Sequence, residues 1–588
     1  MQCYIARGRN VTERLYPKRI NGRLYYYLQR SWREKLDPDQ HGSTKGSGKS
    51  RVKTESIYLG TAESIVQRLQ QLRKPLEVHS REFGFVGAAY TTMLDIGLIE
   101  LLKTHLPGTR HGIPLWVFFT LSIINRLQYA TSKESMGKWA TKTILPQLLR
   151  FDPQKVHSKS FWYATDEVLS EQEVRERRRR QPHLKDALLV GIEDECLRRI
   201  EEGLFVSLQQ RFSLGTEVLL YDTTNFFTYF EEPTRAKVAR SGHNKSSRHH
   251  LKQVGLALCV EKDWGIPLLH RLYRGNSHDT NTFSEVVPPM IEQLKRGFEQ
   301  IAELVVVLDK GNNSAENFAL LKDQMRWVGS LVPSQYADLL EVPLDQYPGT
   351  WQGLRYYRSQ RTVMGHECAV VLTYNAKLHR KQELKLQQEL EKLRQKVRAK
   401  WAEYKRRPTQ VPAGIGTLLK ASRYGKYLEL RCAEGQPVFE LNTTEMDERT
   451  KRFGKNLVFT GELAAESSWI LAQYLAKHRI EEDFKLLKDP QLIRWQPMRH
   501  WTDTKVWAFG FCCVMALVLI RLMQLKAYRA GMKMSAAVLK EELTDLKQIS
   551  MVYEENAVET KITARSSVQQ HLWEIFKLDR LEADLTRH

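Results

Sequence analysis

The chain has 588 residues, 42% of them hydrophobic and 27% charged, a balance that suits a soluble protein with a large core and three or four domains. Its 90 Lys and Arg against 68 Asp and Glu leave a formal charge of +22, which favours a polyanionic partner through counterion release. The 7 cysteines are scattered, with only Cys512 and Cys513 adjacent; this excludes a disulfide framework or a thiolate metal site and fits a reducing cytoplasm.

The opening MQCYIARGRN has no apolar signal core. Residues 1–80 are expected to form a small strand-rich, DNA-binding module, with strands at Leu24–Leu28 and Glu55–Gly60 around the polar stretch HGSTKGSGKS. The Gly48-Lys49-Ser50 in that stretch resembles a phosphate-binding loop, but Ser43 stands where the pattern needs glycine, so a flexible basic hairpin tip is expected. Residues 81–212 follow as a helical DNA-binding region, apolar at Ile113–Ile124 and punctuated by Pro107, Pro114, Pro146 and Pro182. Basic clusters lie at Lys45–Arg51, Arg175–Arg180 and Lys396–Arg407. Arg177–Arg180 alone reads as a solvated helix face.

From Gly215 the pattern changes to strands. Val218–Tyr221, Val254–Val260 and Ile266–Tyr273, with a turn at Asp263-Trp264-Gly265, predict an antiparallel meander. A helix at Phe283–Ile301, a strand at Leu304–Leu308, a helix at Ser314–Gln324 and a strand at Val328–Val332 complete the first part of a core over residues 213–332. Three strands, helix, strand, helix, strand is the element order of a ribonuclease-H-like α/β sheet, in which the first and fourth strands are neighbours. A strand-rich insertion is expected over 333–462, with strands at Glu367–Tyr374 and Tyr427–Arg431. Its long helix, Asn375–Arg406, has Leu386, Leu390, Leu393, Val397 and Trp401 at the spacing of a packing seam. The core resumes over 463–530, and 531–588 forms a helical C-terminal region. Val506–Ile520 is apolar throughout but ends at Arg521, short of the roughly 20 residues that span a bilayer, so a buried helix and no membrane partner are expected.

Asp222 closes the apolar run at 218–221 and Asp309 the run at 304–308, while Glu481 lies in the charged helical stretch HRIEEDFKLLKD. Three carboxylates on three elements suggest a site for Mg²⁺, with Mn²⁺ as a substitute, since hard oxygen ligands suit both and such ions serve phosphoryl transfer. At about 100° per residue, Tyr474, Lys477, Glu481 and Lys488 fall within roughly 60° of one another on one helix, with Glu482 well off that face and Asp483 nearly opposite Tyr474. That face could hold a metal with Glu481 and grip phosphates with its lysines; it could equally be a surface laced with Glu/Lys pairs. His243, His249 and His250 read as basic loop residues rather than a zinc site. His278 and Asp279 read as supporters of the site or as a turn, and Asn312 and Ser314 as caps of the next helix.

The stretch YLAKHRIEEDFKLLK resembles the Tyr-x2-Arg-x3-Glu-x6-Lys signature of DDE transposases from bacterial insertion sequences, the type-four group with a strand-rich insertion before the final Glu. Tyr474, Glu481 and Lys488 are in register, and Lys477 replaces the usual Arg. YDTTNFF, LYRGNSHDTNTF, VVVLDKGNNSAEN and NRLQYATSKESMGKW agree, so the resemblance covers most of the chain. It implies that Asp222, Asp309 and Glu481 are the catalytic, metal-binding triad and that Tyr474, Lys477 and Lys488 position terminal DNA. Trp469 becomes either a stacking partner for an unstacked base or a core aromatic. It further implies double-stranded DNA partners, namely terminal inverted repeats and target DNA, a homodimer on paired ends, and a bacterial cytoplasm where the protein associates with the nucleoid. A metal-dependent nuclease without strand transfer, or a non-catalytic DNA-binding protein derived from a transposase, are the alternatives.

Overall fold

The computed structural model describes residues 12–35, 50–71, 75–106, 108–110, 112–166, 168–169, 179, 192–215, 217–229, 236–242, 248, 250–277, 279–297, 301–322, 324–404, 408–554 and 557–586. Outside these lie most of the HGSTKGSGKS stretch, Arg175–Arg178 and Arg180, Lys405–Arg407, His243, His249 and His278. The expectations for those residues go no further. His250 is exposed in a turn.

Residues 1–80 with 548–562 form one compact unit, and 81–547 with 563–588 form a second. In the first, β1 (Thr12–Ile20), β2 (Arg23–Lys35) and β3 (Ser50–Gly60) make an antiparallel sheet. Asn21 and Gly22 join β1 to β2 with φ of 48° and 81°, as a two-residue hairpin requires. Across the strands Tyr16 stacks on Tyr27 at 5.6 Å, and Tyr27 packs on Tyr58 at 5.3 Å. β2 and β3 contain the two expected strands; β1, rich in charge and carrying Pro17, is an addition.

The second unit is built around a large mixed sheet. β4 (Val218–Phe227), β5 (Gln253–Glu261) and β6 (Pro267–Arg274) form the antiparallel meander. All of β5 is buried, which explains why its sequence is a continuous apolar run rather than an alternating one. Helix α1 (Asp279–Gly297) leads to β7 (Val305–Val307), and α2 (Ala315–Leu321) leads to β8 (Arg326–Leu331). β7 runs parallel to both β4 and β8, so the first and fourth strands are neighbours, as expected. Ser314 caps α2, its hydroxyl accepting from the Asn317 N–H at 3.1 Å. Asn312 is buried and not a cap; its carbonyl accepts from the Asn317 side chain at 2.8 Å.

The insertion divides in two. Its strands β9 (Gly349–Trp351), β10 (Leu354–Val363) and β11 (His366–Tyr374) continue the main sheet. Helix α3 (Ala376–Ala402) instead packs its Leu386, Leu390, Leu393, Val397 and Trp401 seam against a separate apolar cluster, which includes Ile415, Tyr427 and Leu428 at the hairpin of β12 (Leu428–Ala433) and β13 (Gln436–Leu441). The chain then returns as β14 (Lys455–Thr460), which enters the sheet between β8 and β11. The sheet order is therefore β6-β5-β4-β7-β8-β14-β11-β10-β9.

Two helices follow, α4 (Ser467–Leu475) and α5 (His478–Lys488). The sequence predicts one continuous helix through this region, and the structure divides it. Lys477 N–H donates to the Tyr474 carbonyl at 3.1 Å and Arg479 N–H to that of Ala476 at 2.9 Å, a tightened turn that places Tyr474 on a different helix from Glu481 and Lys488. The last helix needed here, α6 (Asp503–Arg529), is long and apolar enough to cross a membrane, yet 89% of its most apolar window is buried inside the protein. Helices Gly84–Asp95 and Leu115–Gln128 and strand β6 pack around it. It is the core helix of its unit.

Candidate active site

The parallel register of β4 and β7 pairs Leu220 with Val307. Each of these residues lies two positions before an aspartate, so Asp222 and Asp309 come out level with one another. Asp222 sits inside a ten-residue strand rather than at its end, and its Oδ1 accepts from the Thr223 N–H at 2.8 Å. Asp309 lies just past β7, where its Oδ1 accepts from the Lys310 N–H at 2.8 Å and from the Ser330 hydroxyl at 3.5 Å. The loop after Asp309 is tied to β8 by Asn313, whose amide donates to the Ser330 carbonyl at 2.8 Å.

A lysine joins the two aspartates. The break between α4 and α5 turns Lys477 inward, and its Nζ lies 2.8 Å from Asp309 Oδ2 and 3.8 Å from Asp222 Oδ2, with only 8% of the residue exposed. Burial favours neutral forms, and it pushes Asp222 up to about 6 against the opposing pull of Lys477; the charges of Asp309 and Glu481 add to the rise. At Asp309 burial acts in the same sense, but Lys477 and the Lys310 N–H outweigh it and hold the carboxyl below its usual range. Lys477 itself is raised: burial would lower it, and the two aspartates more than compensate. Tyr474, also raised, is pushed up by burial, with Ser330 opposing and Asp309 adding.

Glu481 is exposed on α5, close enough to contribute its charge to Asp222. Lys488, at the end of α5, donates to the Thr224 hydroxyl at 2.7 Å and lies over the Phe226 ring at 5.4 Å, which fastens this helix to the strand carrying Asp222. Trp469 is half-buried in the first turn of α4. Among the described residues no three carboxylate, imidazole or thiol groups are close enough together to hold one ion. The structure thus unites Asp222, Asp309 and Lys477 directly, with Glu481 beside them. Thr224 and Ser330 belong to this site and are not singled out by the sequence. Thr224 stands in YDTTNFF, where strand alternation could have marked it.

No protein-family model matches the chain, and no curated protein does. One solved structure similar to it, described as a piggyBac transposase synaptic complex with hairpin DNA, shares 8% sequence identity over 77% of this chain and 79% of that one. Its TM-score is 0.38.

Proposed function

We propose that this protein is a DNA transposase of the DDE class, with a ribonuclease-H-like core, that binds the terminal inverted repeats of a mobile element, cuts DNA strands and joins the ends to target DNA. The observation that carries this reading is the level placement of Asp222 and Asp309 on adjacent parallel strands, sharing one cation. The order β6-β5-β4-β7-β8 and the fastening of the Glu481 helix to β4 support it.

The donor set fits a hard divalent ion: two carboxylates already converge on the ammonium of Lys477, and an Mg²⁺ or Mn²⁺ ion would take the same kind of oxygen ligands. Asp222 and Asp309 would hold the ion, and Glu481, which stands apart from them in this structure, would complete its ligands on closing toward it. Bound there, it would activate an oxygen nucleophile and stabilise the departing oxygen of a phosphodiester. Lys477, released from the aspartates, and Lys488 and Tyr474 would grip phosphates of the terminal DNA, and Trp469 would stack on an unpaired base. The +22 charge supplies affinity for the duplex. Two copies would pair two ends at one target.

The test uses the purified protein, DNA from either side of its gene and Mg²⁺. Asp222→Asn, Asp309→Asn and Glu481→Gln should each lose cleavage and joining by about a thousandfold or more while still binding the DNA. Glu482→Gln should keep most activity, because Glu482 is directed instead at Arg479 and Arg521, 3.8 and 3.7 Å away. Near-normal cutting by either aspartate variant would sink the assignment.

A further inference from the structure

Away from the aspartates, the second unit contains a cavity of about 470 Å³ whose lining includes Arg126, Lys133, Trp162, Arg499, His500 and Phe509. Several stretches of chain build it: the NRLQYATSKESMGKW segment, the helix bearing Trp162, the connection from α5 to α6, and α6 itself. Glu134 is the single carboxylate among the lining residues, which also include Arg494.

Two buried groups there face positive surroundings. Among the described residues the Arg126 guanidinium meets uncharged oxygens: the Thr131 carbonyl at 2.6 Å, the Asn125 amide oxygen at 3.2 Å and the Arg494 carbonyl at 3.4 Å. Its face lies over the Phe509 ring at 5.6 Å. Burial pushes its pKa down, as expected for a cation without a carboxylate beside it. His500 is 7% exposed, and among the described residues its Nδ1 has no hydrogen-bond partner. Burial holds its imidazole well below the usual range, and Lys133, Arg126 and Lys505 add to this. In the tautomer with its proton on Nδ1, this buried nitrogen in a cavity ringed by cations is a donor for an anionic acceptor group.

The walls ask for more than an anion. Trp162 and Phe509 both pack against the His500 ring, at 5.5 and 4.6 Å, and the volume falls within the range of small-molecule sites, far larger than a phosphate ion needs. Arginines match phosphate oxygens, and aromatic walls stack on bases.

We propose that this cavity binds a nucleotide, its phosphate among Arg126, Lys133, Arg499 and His500 and its base against Trp162 and Phe509. The chemistry is the same for a free nucleotide and for one unit of a DNA strand. The site is separate from the aspartates, and its test needs no divalent ion.

Calorimetry on the full chain in EDTA, with deoxythymidine 5′-monophosphate, thymidine and inorganic phosphate as probes, reads the assignment. The nucleotide should bind about tenfold or more tightly than either of the others. Lys133→Glu and the exposed Arg499→Glu should each weaken it about tenfold with melting curves unchanged, and Asp222→Asn should leave it intact. Competition by a single-stranded oligonucleotide about tenfold stronger than by the monomer identifies a strand unit as the ligand; equal competition identifies the free nucleotide. Nucleotide binding no tighter than phosphate overturns the proposal, as does full affinity in both folded charge-reversal variants. The cleavage assay above is unaffected by either outcome, so the two readings fail independently.

Discussion

Two of the three carboxylates on helix α5 have sharply different surroundings. Glu481 is exposed and close enough to Asp222 for its charge to be felt there, whereas Asp483 is fully buried and accepts from Arg521 Nε of α6 at 2.7 Å. The turn at Gly265 closes over Asp483: that residue has a φ of 69°, and a Cβ there would lie 2.8 Å from Asp483 Oδ2, so both backbone conformation and space call for glycine. Burial pushes Asp483 up to about 8, with Arg521 opposing. At Asp222 and Asp309 the cation is a lysine ammonium, a compact charge on a flexible stem, rather than a guanidinium held within the core. The contrast separates a carboxylate that fixes the helix from carboxylates left able to exchange their partner.

Breaking the structural side should cost the most stability. Asp483→Ala leaves the Arg521 guanidinium largely buried, with Glu482 at 3.7 Å as its remaining carboxylate among the described residues, and should destabilise the second unit by about 3 to 5 kcal/mol. Denaturant unfolding measures this; a loss under about 1 kcal/mol would show that the pair does not anchor α5.

How far each side was legible in the sequence follows from its physics. The two aspartates were readable because each ends an apolar run, and apolar runs reveal buried strands. That their two strands are neighbours was foreseen from element order alone; the parallel register that sets them level comes from the structure. The break at Ala476–Lys477 was not foreseen, because neither Gly nor Pro marks it and both residues keep helical dihedrals. The helical face therefore grouped Tyr474 and Lys477 with Glu481 and assigned Lys477 to flanking phosphates instead of to the acid pair. Strand β1 was hidden by its charged composition, although Asn21-Gly22 is a strong hairpin signal. That β9–β11 join the main sheet while α3 and its hairpin do not depends on pairings distant in sequence, which no local pattern encodes. The cavity at His500 draws on segments from Ser122 to Cys512 and was invisible for the same reason.

Sharpening the functional side begins with Lys477. Lys477→Met removes the cation held between Asp222 and Asp309, so the two carboxylates repel and the metal-free protein should lose about 1 to 3 kcal/mol. The same change removes a competitor for any divalent ion, so Mn²⁺ should bind about tenfold more tightly and raise the variant's melting temperature more than the parent's. Titration calorimetry and melting curves in EDTA and in Mn²⁺ check both parts. Equal Mn²⁺ affinity in the two proteins would mean that Lys477 does not occupy the ion's position.

The finest distinction lies between the two aspartates themselves, whose carboxyls shift in opposite directions. Asp222 is raised to about 6 in the folded protein, mainly by burial, so the folded state holds that proton longer than the unfolded chain does. Its contribution to stability is complete below the unfolded value near 4 and disappears as pH rises through about 6. Asp309 is lowered, with Lys477 outweighing burial; its contribution is present above the unfolded value and disappears as pH falls through the folded one. In EDTA at about pH 7.5, Asp222→Asn should therefore stabilise the protein, by about 1 to 2 kcal/mol, and Asp309→Asn should destabilise it. At about pH 4 both differences should shrink. Both residues would still be needed for cutting, so Asp222→Asn should be a more stable protein that has lost activity, as expected where carboxylates are kept together for function at a cost to stability. Melting curves of the two variants over this pH range decide the point; the same sign for both at neutral pH would contradict the unequal sharing of Lys477.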